Sequence, residues 1–166
     1  MPSMAGYVVA VLRVEGRWQV DRLPDGLPAN LDTFLGALRQ QPTAGGVLGL
    51  VNIADDFFVA ARTAPGGGVR LLLSDVTAAV EWDLARQVLE RLGEELPDAD
   101  EPDEVWPAGD LGIFADLGLA ERELGTILDD LDLYADEMLL DVARRVGFAE
   151  PLEAAVDAVV RHRGWE

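Results

Sequence analysis

The chain has 166 residues, of which nearly half are apolar, enough for one ordinary domain or a small domain with a helical appendage and too many for global disorder. It carries 31 acids, 13 arginines, one histidine, no cysteine and no lysine, for a formal net charge of −18. This excludes a disulfide framework, a thiolate zinc site and a redox thiol, and weighs against phosphate-backbone binding, which depends on cationic side chains.

Tyr7–Val14 is apolar and β-branched, and Glu15-Gly16 is a tight turn signal. Arg17–Leu23 then returns as a second strand, with Trp18 and Val20 on one face. Pro24, Gly26 and Pro28 break the pattern. Asn30 is placed to cap a helix from Leu31 to about Gln41, whose stripe is Leu31, Phe34, Leu35 and Leu38. After Pro42 and Gly45-Gly46, Val47–Ile53 reads as a buried strand, Asp55-Asp56 as a short connection and Phe57–Arg62 as the hairpin partner. Pro65–Gly68 is a turn and Val69–Leu73 a further strand. Ser74 or Asp75 caps a helix that continues through Trp82, Leu84, Val88 and Leu92. Short turns between strands demand antiparallel pairing. The expected fold class is α+β, an antiparallel sheet of about five strands with two helices over residues 1–92. This element order is similar to roadblock or profilin-like folds, a likeness that carries no function.

Residues 93–109 read as an acidic, flexible linker, with three prolines among closely spaced carboxylates and no periodic stripe. From Asp110 to the end, residues 110–166 read as a helical domain. Asp110 caps a short helix to Leu117, and Leu119–Leu131 presents Leu124, Ile127, Leu128 and Leu131. Asp136 caps a helix showing Leu139, Val142, Ala143 and Val146, and the last helix, with Pro151 in its first turn, shows Leu152, Ala155, Val156 and Val159. Stripes this narrow bury only one side, so a bundle of about four helices is expected.

No apolar run approaches the ~20 residues that span a bilayer. Tyr7–Leu12 follows no basic segment, so it is not a signal peptide, and a cytoplasmic location is expected. The side chains are poor in catalytic chemistry. Ser3 lies near the N-terminus, Ser74 at a strand-to-helix corner, and His162 stands alone between Arg161 and Arg163, so no nucleophile–base pair and no cofactor or metal site is expected. Gly66–Gly68 joins two strands and lacks the helix N-terminus that lets a glycine loop hold phosphate.

The charge is uneven. Residues 94–141 hold 17 acids and one arginine, whereas 1–93 hold 10 acids and 8 arginines and 142–166 hold four of each. Such a block attracts basic partners and repels polyanions. The candidate partner-binding residues are therefore Asp98, Asp100, Glu101, Asp103, Glu104 and Trp106 in the linker, with Asp129, Asp130 and Asp132 in the densest later cluster. That cluster lacks the glycine and closing glutamate of a calcium loop.

The stretch GDLGIFADLGLAERELGTILDD (109–130), followed by LYADEMLLDVARRVGFAEPLEAAV (133–156), resembles an actinobacterial family of tRNA adenosine deaminase-associated proteins. VRLLLSDVTAA (69–79) and the acidic stretch resemble it too. The resemblance implies a context beside a tRNA adenosine deaminase and supplies no catalytic residues. The chain is not itself the deaminase, because that chemistry needs a His/Cys/Cys zinc set with a catalytic Glu. The expected function is a non-catalytic, acidic accessory protein for a basic protein partner, the deaminase or another tRNA-handling protein, with no direct nucleic acid and no membrane. Two alternatives stay open: a carboxylate-dependent metal or small-molecule enzyme, and a nucleic-acid mimic whose 94–141 block occupies a basic groove. Dimerisation through the sheet or the helices is also left open.

Overall fold

A computed structural model of the chain describes residues 7–23, 30–41, 46–54, 56–64, 68–94, 107–130 and 132–163, with side chains to 156 in the last segment. Among the described residues, six antiparallel strands are followed or interrupted by five α-helices. The elements are β1 (Tyr7–Val14), β2 (Arg17–Arg22), α1 (Leu31–Arg39), β3 (Val47–Ile53), β4 (Phe57–Thr63), β5 (Val69–Leu73), α2 (Asp83–Leu92), β6 (Ala108–Gly109), α3 (Glu121–Asp129), α4 (Ala135–Val146) and α5 (Ala149–Arg163). The spatial order is β2-β1-β3-β4-β5-β6. Both β2 and β3 run antiparallel to β1, so α1 carries the chain from one side of β1 to the other.

Local chemistry explains most of these elements. The β1–β2 turn has Glu15 at φ 53° and Gly16 at φ 78°, the doubly positive geometry that matches strand twist in a two-residue hairpin. Asn30 caps α1 by accepting from the Thr33 N–H at 3.2 Å. Gly49 lies under α1, and a Cβ there would come within 2.6 Å of both Leu38 and Phe34. Glycine is what lets the helix sit this close to β3.

Period-two alternation then decides the layers. Val8, Ala10, Leu12, Val51, Val59, Leu71 and Leu73 pack against Phe34, Leu38, Leu84 and Val88 of α1 and α2. The opposite residues, Val9, Val11, Leu50, Phe58, Ala60 and Leu72, pack against Leu124, Leu128, Leu139, Val142, Phe148 and Leu152. The sheet is therefore the middle of three layers.

Several expectations are corrected. Residues expected to form a helical bundle share an apolar cluster with the sheet, and α3, α4 and α5 cover its second face. The reason is that β1, β3 and β4 are buried on both faces, so they need a layer on each side. The sheet has a sixth strand, Ala108–Gly109, paired with Leu72 and Leu73. The helix expected after Ser74 or Asp75 is broken. Asp75 caps a 3₁₀ turn over Val76–Val80, and α2 begins afresh at Asp83 with Trp82 as its cap residue, packed on Phe57. Asp110 opens a turn and a 3₁₀ segment, Ala115–Leu117, rather than an α-helix. Tyr134, not Asp136, occupies the cap position of α4, where its N–H donates to Glu137 at 3.0 Å. Most of the expected linker, residues 95–106, lies outside the described residues.

Candidate functional site

The acidic residues of the described chain concentrate where α3 turns into α4. Asp129 is the last residue of α3 and Asp130 its C-cap. The Asp130 carboxylate accepts from the Asp132 N–H at 3.0 Å, and its carbonyl accepts from the Leu133 N–H at 3.1 Å. All three aspartates are exposed. α3 has no basic residue in its last turn, so Asp129 and Asp130 sit at the negative end of the helix dipole without a compensating cation. That position disfavours the folded chain, and an approaching cation relieves it.

The same segment borders an opening of about 140 Å³. Leu128, Leu133, Ala135 and Met138 form its apolar side, and Asp56, Ser74 and Asp75 its polar side. Ser74 is buried and accepts from the Phe58 N–H at 2.9 Å, tying β5 back to β4. Asp75 accepts from the Thr77 N–H and hydroxyl at 2.9 and 2.6 Å. Tyr134, beside the opening in sequence, is 67% exposed. A small opening lined by carboxylates and apolar side chains together offers both negative charge and hydrocarbon contact, which suits a cationic side chain with a hydrocarbon stem. Among the described residues no group of three or more His, Cys, Asp or Glu is arranged to hold a metal ion.

Two ion pairs place the segment that leads into this region. Arg62 donates to both carboxylate oxygens of Asp116, at 2.5 and 2.8 Å, and to the Ile113 carbonyl at 2.9 Å. Arg70 donates to Asp110 at 2.5 Å and to the Gly112 carbonyl at 2.7 Å, while Asp110 accepts from the Gly112 N–H at 2.9 Å. The hydrogen bond from Arg70 holds the Asp110 carboxyl below its ordinary value, against partial burial, which raises it. Arg62 does the same for Asp116. Both carboxylates are neutralised within the fold and add little to the field offered to a partner. Ile113 and Phe114, fully buried, supply the larger attraction, on the order of 1.5–3 kcal/mol each. The arginines set orientation.

Of the residues expected from sequence to face a partner, Asp129, Asp130 and Asp132 come together at one exposed corner. Asp98, Asp100, Glu101, Asp103, Glu104 and Trp106 lie outside the described residues. Asp56, Ser74 and Asp75 were legible only as turn and cap residues. Nothing local ties positions 56 and 75 to 128–138, because the link is made by the sheet. No helix among the described residues is long and apolar enough to cross a membrane.

No solved structure matches the chain. The protein Rv3753c of Mycobacterium tuberculosis (strain ATCC 25618 / H37Rv) is 45% identical over 157 residues, covering 94% of this chain and 90% of that one. A family described as "Rv3753c-like tRNA adenosine deaminase-associated protein" matches residues 6–149. With that much of the chain covered on both counts, it belongs to the Rv3753c-like tRNA adenosine deaminase-associated protein family.

Proposed function

We propose that this protein is a non-catalytic accessory subunit whose acidic surface binds a basic protein, and that the partner is a tRNA adenosine deaminase. The observation that carries this is the α3–α4 corner, where Asp129, Asp130 and Asp132 are exposed at a helix C-terminus with no basic residue in its last turn, beside an opening lined by carboxylates and apolar side chains. A basic surface meeting this corner gains Coulomb attraction, which also steers encounter. It can insert one arginine or lysine between Asp56 and Met138. In this reading the acidic stretch Asp98, Asp100, Glu101, Asp103 and Glu104, with Trp106, supplies further contacts, and the location is cytoplasmic. The family description supports the choice of partner by its wording.

The test uses the purified full chain and the purified deaminase of the same organism. A complex should form at low salt, weaken as salt rises, and be lost in the Asp129→Asn/Asp130→Asn/Asp132→Asn variant. Absence of any complex at low salt would sink the proposal. If tRNA displaces the chain from the deaminase, the acidic surface acts by occupying the RNA groove, which is the mimic reading. If tRNA and the chain bind together, it acts as a scaffold.

A further inference from the structure

The opposite end of the molecule carries a different chemistry. β2 is a terminal strand of the sheet, and among the described residues no strand lies outside it. Leu23 donates its N–H to the Val8 carbonyl at 2.8 Å. Strand alternation therefore turns the backbone groups of Gln19 and Asp21 toward β1 as well, and those of Trp18, Val20 and Arg22 outward. β2 has no proline, and its register with β1 runs unbroken from Arg17 to Arg22. It lacks the bulge or proline with which an edge is commonly blocked.

We propose that this edge pairs with the same edge of a second copy, antiparallel, about a twofold axis at Gln19. The register follows from the sequence. In an isologous antiparallel pair the axis passes through one residue, which then faces itself. An axis at Trp18 sets Glu15 against Asp21 of the second copy, two like charges. An axis at Val20 creates no acid–base pair. An axis at Gln19 sets Arg17 against Asp21 of the second copy, and the reverse, and sets Trp18 against Val20 in both directions. Arg17 and Asp21 then form pairs without hydrogen bonds between their backbones, the closer kind, with Cα atoms about 4.5 Å apart. Trp18 and Val20 exchange the main-chain hydrogen bonds.

Three observations support this occupant. Arg17 is exposed and meets no carboxylate among the described residues, and Asp21 accepts from its own neighbour Gln19 at 2.8 Å. A groove of about 570 Å³ runs along the same edge, between β2 and Pro151, Ala154 and Ala155 of α5. A second copy closes that groove, and the short alanine side chains leave room for it. Finally, the β1–β2 hairpin carries three arginines, Arg13, Arg17 and Arg22, against two acids, Glu15 and Asp21. In a chain of net charge −18 the hairpin itself is not acidic, so its own charges do not oppose the approach of a second copy.

Sedimentation velocity of the full chain, at moderate salt to screen the overall repulsion, tests the proposal. The natural chain should sediment as a dimer. Arg17→Asp and Asp21→Arg should each give a folded monomer, because like charges then face each other, with folding checked by circular dichroism. The double variant Arg17→Asp/Asp21→Arg should dimerise again, since the pairs are restored with their signs exchanged. A natural chain that stays monomeric at about 100 µM, a concentration that populates even weak dimers, would overturn the proposal. So would a dimer indifferent to both single substitutions, or a double variant that fails to recover.

Discussion

Replacing Arg62 by methionine separates the two roles of that side chain. The apolar stem is kept, so the loss is confined to three hydrogen bonds, two to Asp116 and one to the Ile113 carbonyl. The Asp116 side chain is 60% exposed, so the ion pair is worth only about 0.2–1 kcal/mol. Ile113 is fully buried, and its carbonyl, stripped of a charged donor, costs about 1–3 kcal/mol. Arg62→Met should thus lose about 1–4 kcal/mol, most of it from the carbonyl. Asp116→Ala, which leaves Arg62 on the carbonyl, should lose about 1 kcal/mol or less. For a chain of this size each kcal/mol moves the midpoint by roughly 2–4 °C. Urea denaturation of the two variants beside the natural chain measures both. Equal losses would refute the reasoning, because they would make the exposed pair, and not the buried carbonyl, the source of the stability.

Four further outcomes follow from the same structure. Gly49→Ala drives a methyl into Leu38 and Phe34 and should destabilise by about 1–3 kcal/mol in chemical denaturation, with α1 displaced. Glu15→Asn should stabilise by roughly 0.5–1 kcal/mol, because asparagine tolerates the positive φ of the β1–β2 turn better than glutamate, and a raised melting temperature checks it. Asp110 and Asp116 have carboxyls held below their ordinary value of 3.8, so their contribution is complete above that pH and is lost as pH falls through the lowered values. The stability difference between the natural chain and Asp110→Asn/Asp116→Asn should therefore shrink below about pH 4, and a difference flat across that window counts against the two pairs. Asp129→Asn should raise the melting temperature of the isolated chain, since it removes a negative charge from a helix C-terminus, while weakening the proposed complex with a deaminase.

How much of this was legible in the amino-acid order depends on the range of the forces involved. Strands and helices are local. The apolar run of β1, the Glu15-Gly16 turn, the Asn30 cap and the stripe of α1 all lie within a few residues of what they determine, and the structure has them at those positions. The break at Glu81–Trp82 was not legible, because it depends on Trp82 packing against Phe57, 25 positions earlier. Asp129, Asp130 and Asp132 were legible as a charged cluster, and their exposure at one corner agrees with the rule that unpaired charge stays in water. Asp56 and Asp75, on the other side of the opening, were not.

By itself the sequence determined that the chain has a core, that its strands pair antiparallel, that its helices each bury one stripe, and that its charge is concentrated after residue 93. It also carries a sign of the third layer. Tyr7–Leu12 and Phe57–Ala61 are apolar at every position and lack the polar alternation of a sheet with one wet face. Only the tertiary structure decided what each stripe is buried against. An amphipathic helix specifies that one face must leave water, and any apolar surface of suitable shape satisfies it. The second face of the sheet offered such a surface, so α3, α4 and α5 closed over it and brought Leu128, Leu133 and Met138, next to the acidic corner, to the same opening as Asp56 and Asp75, which the linear order keeps far apart.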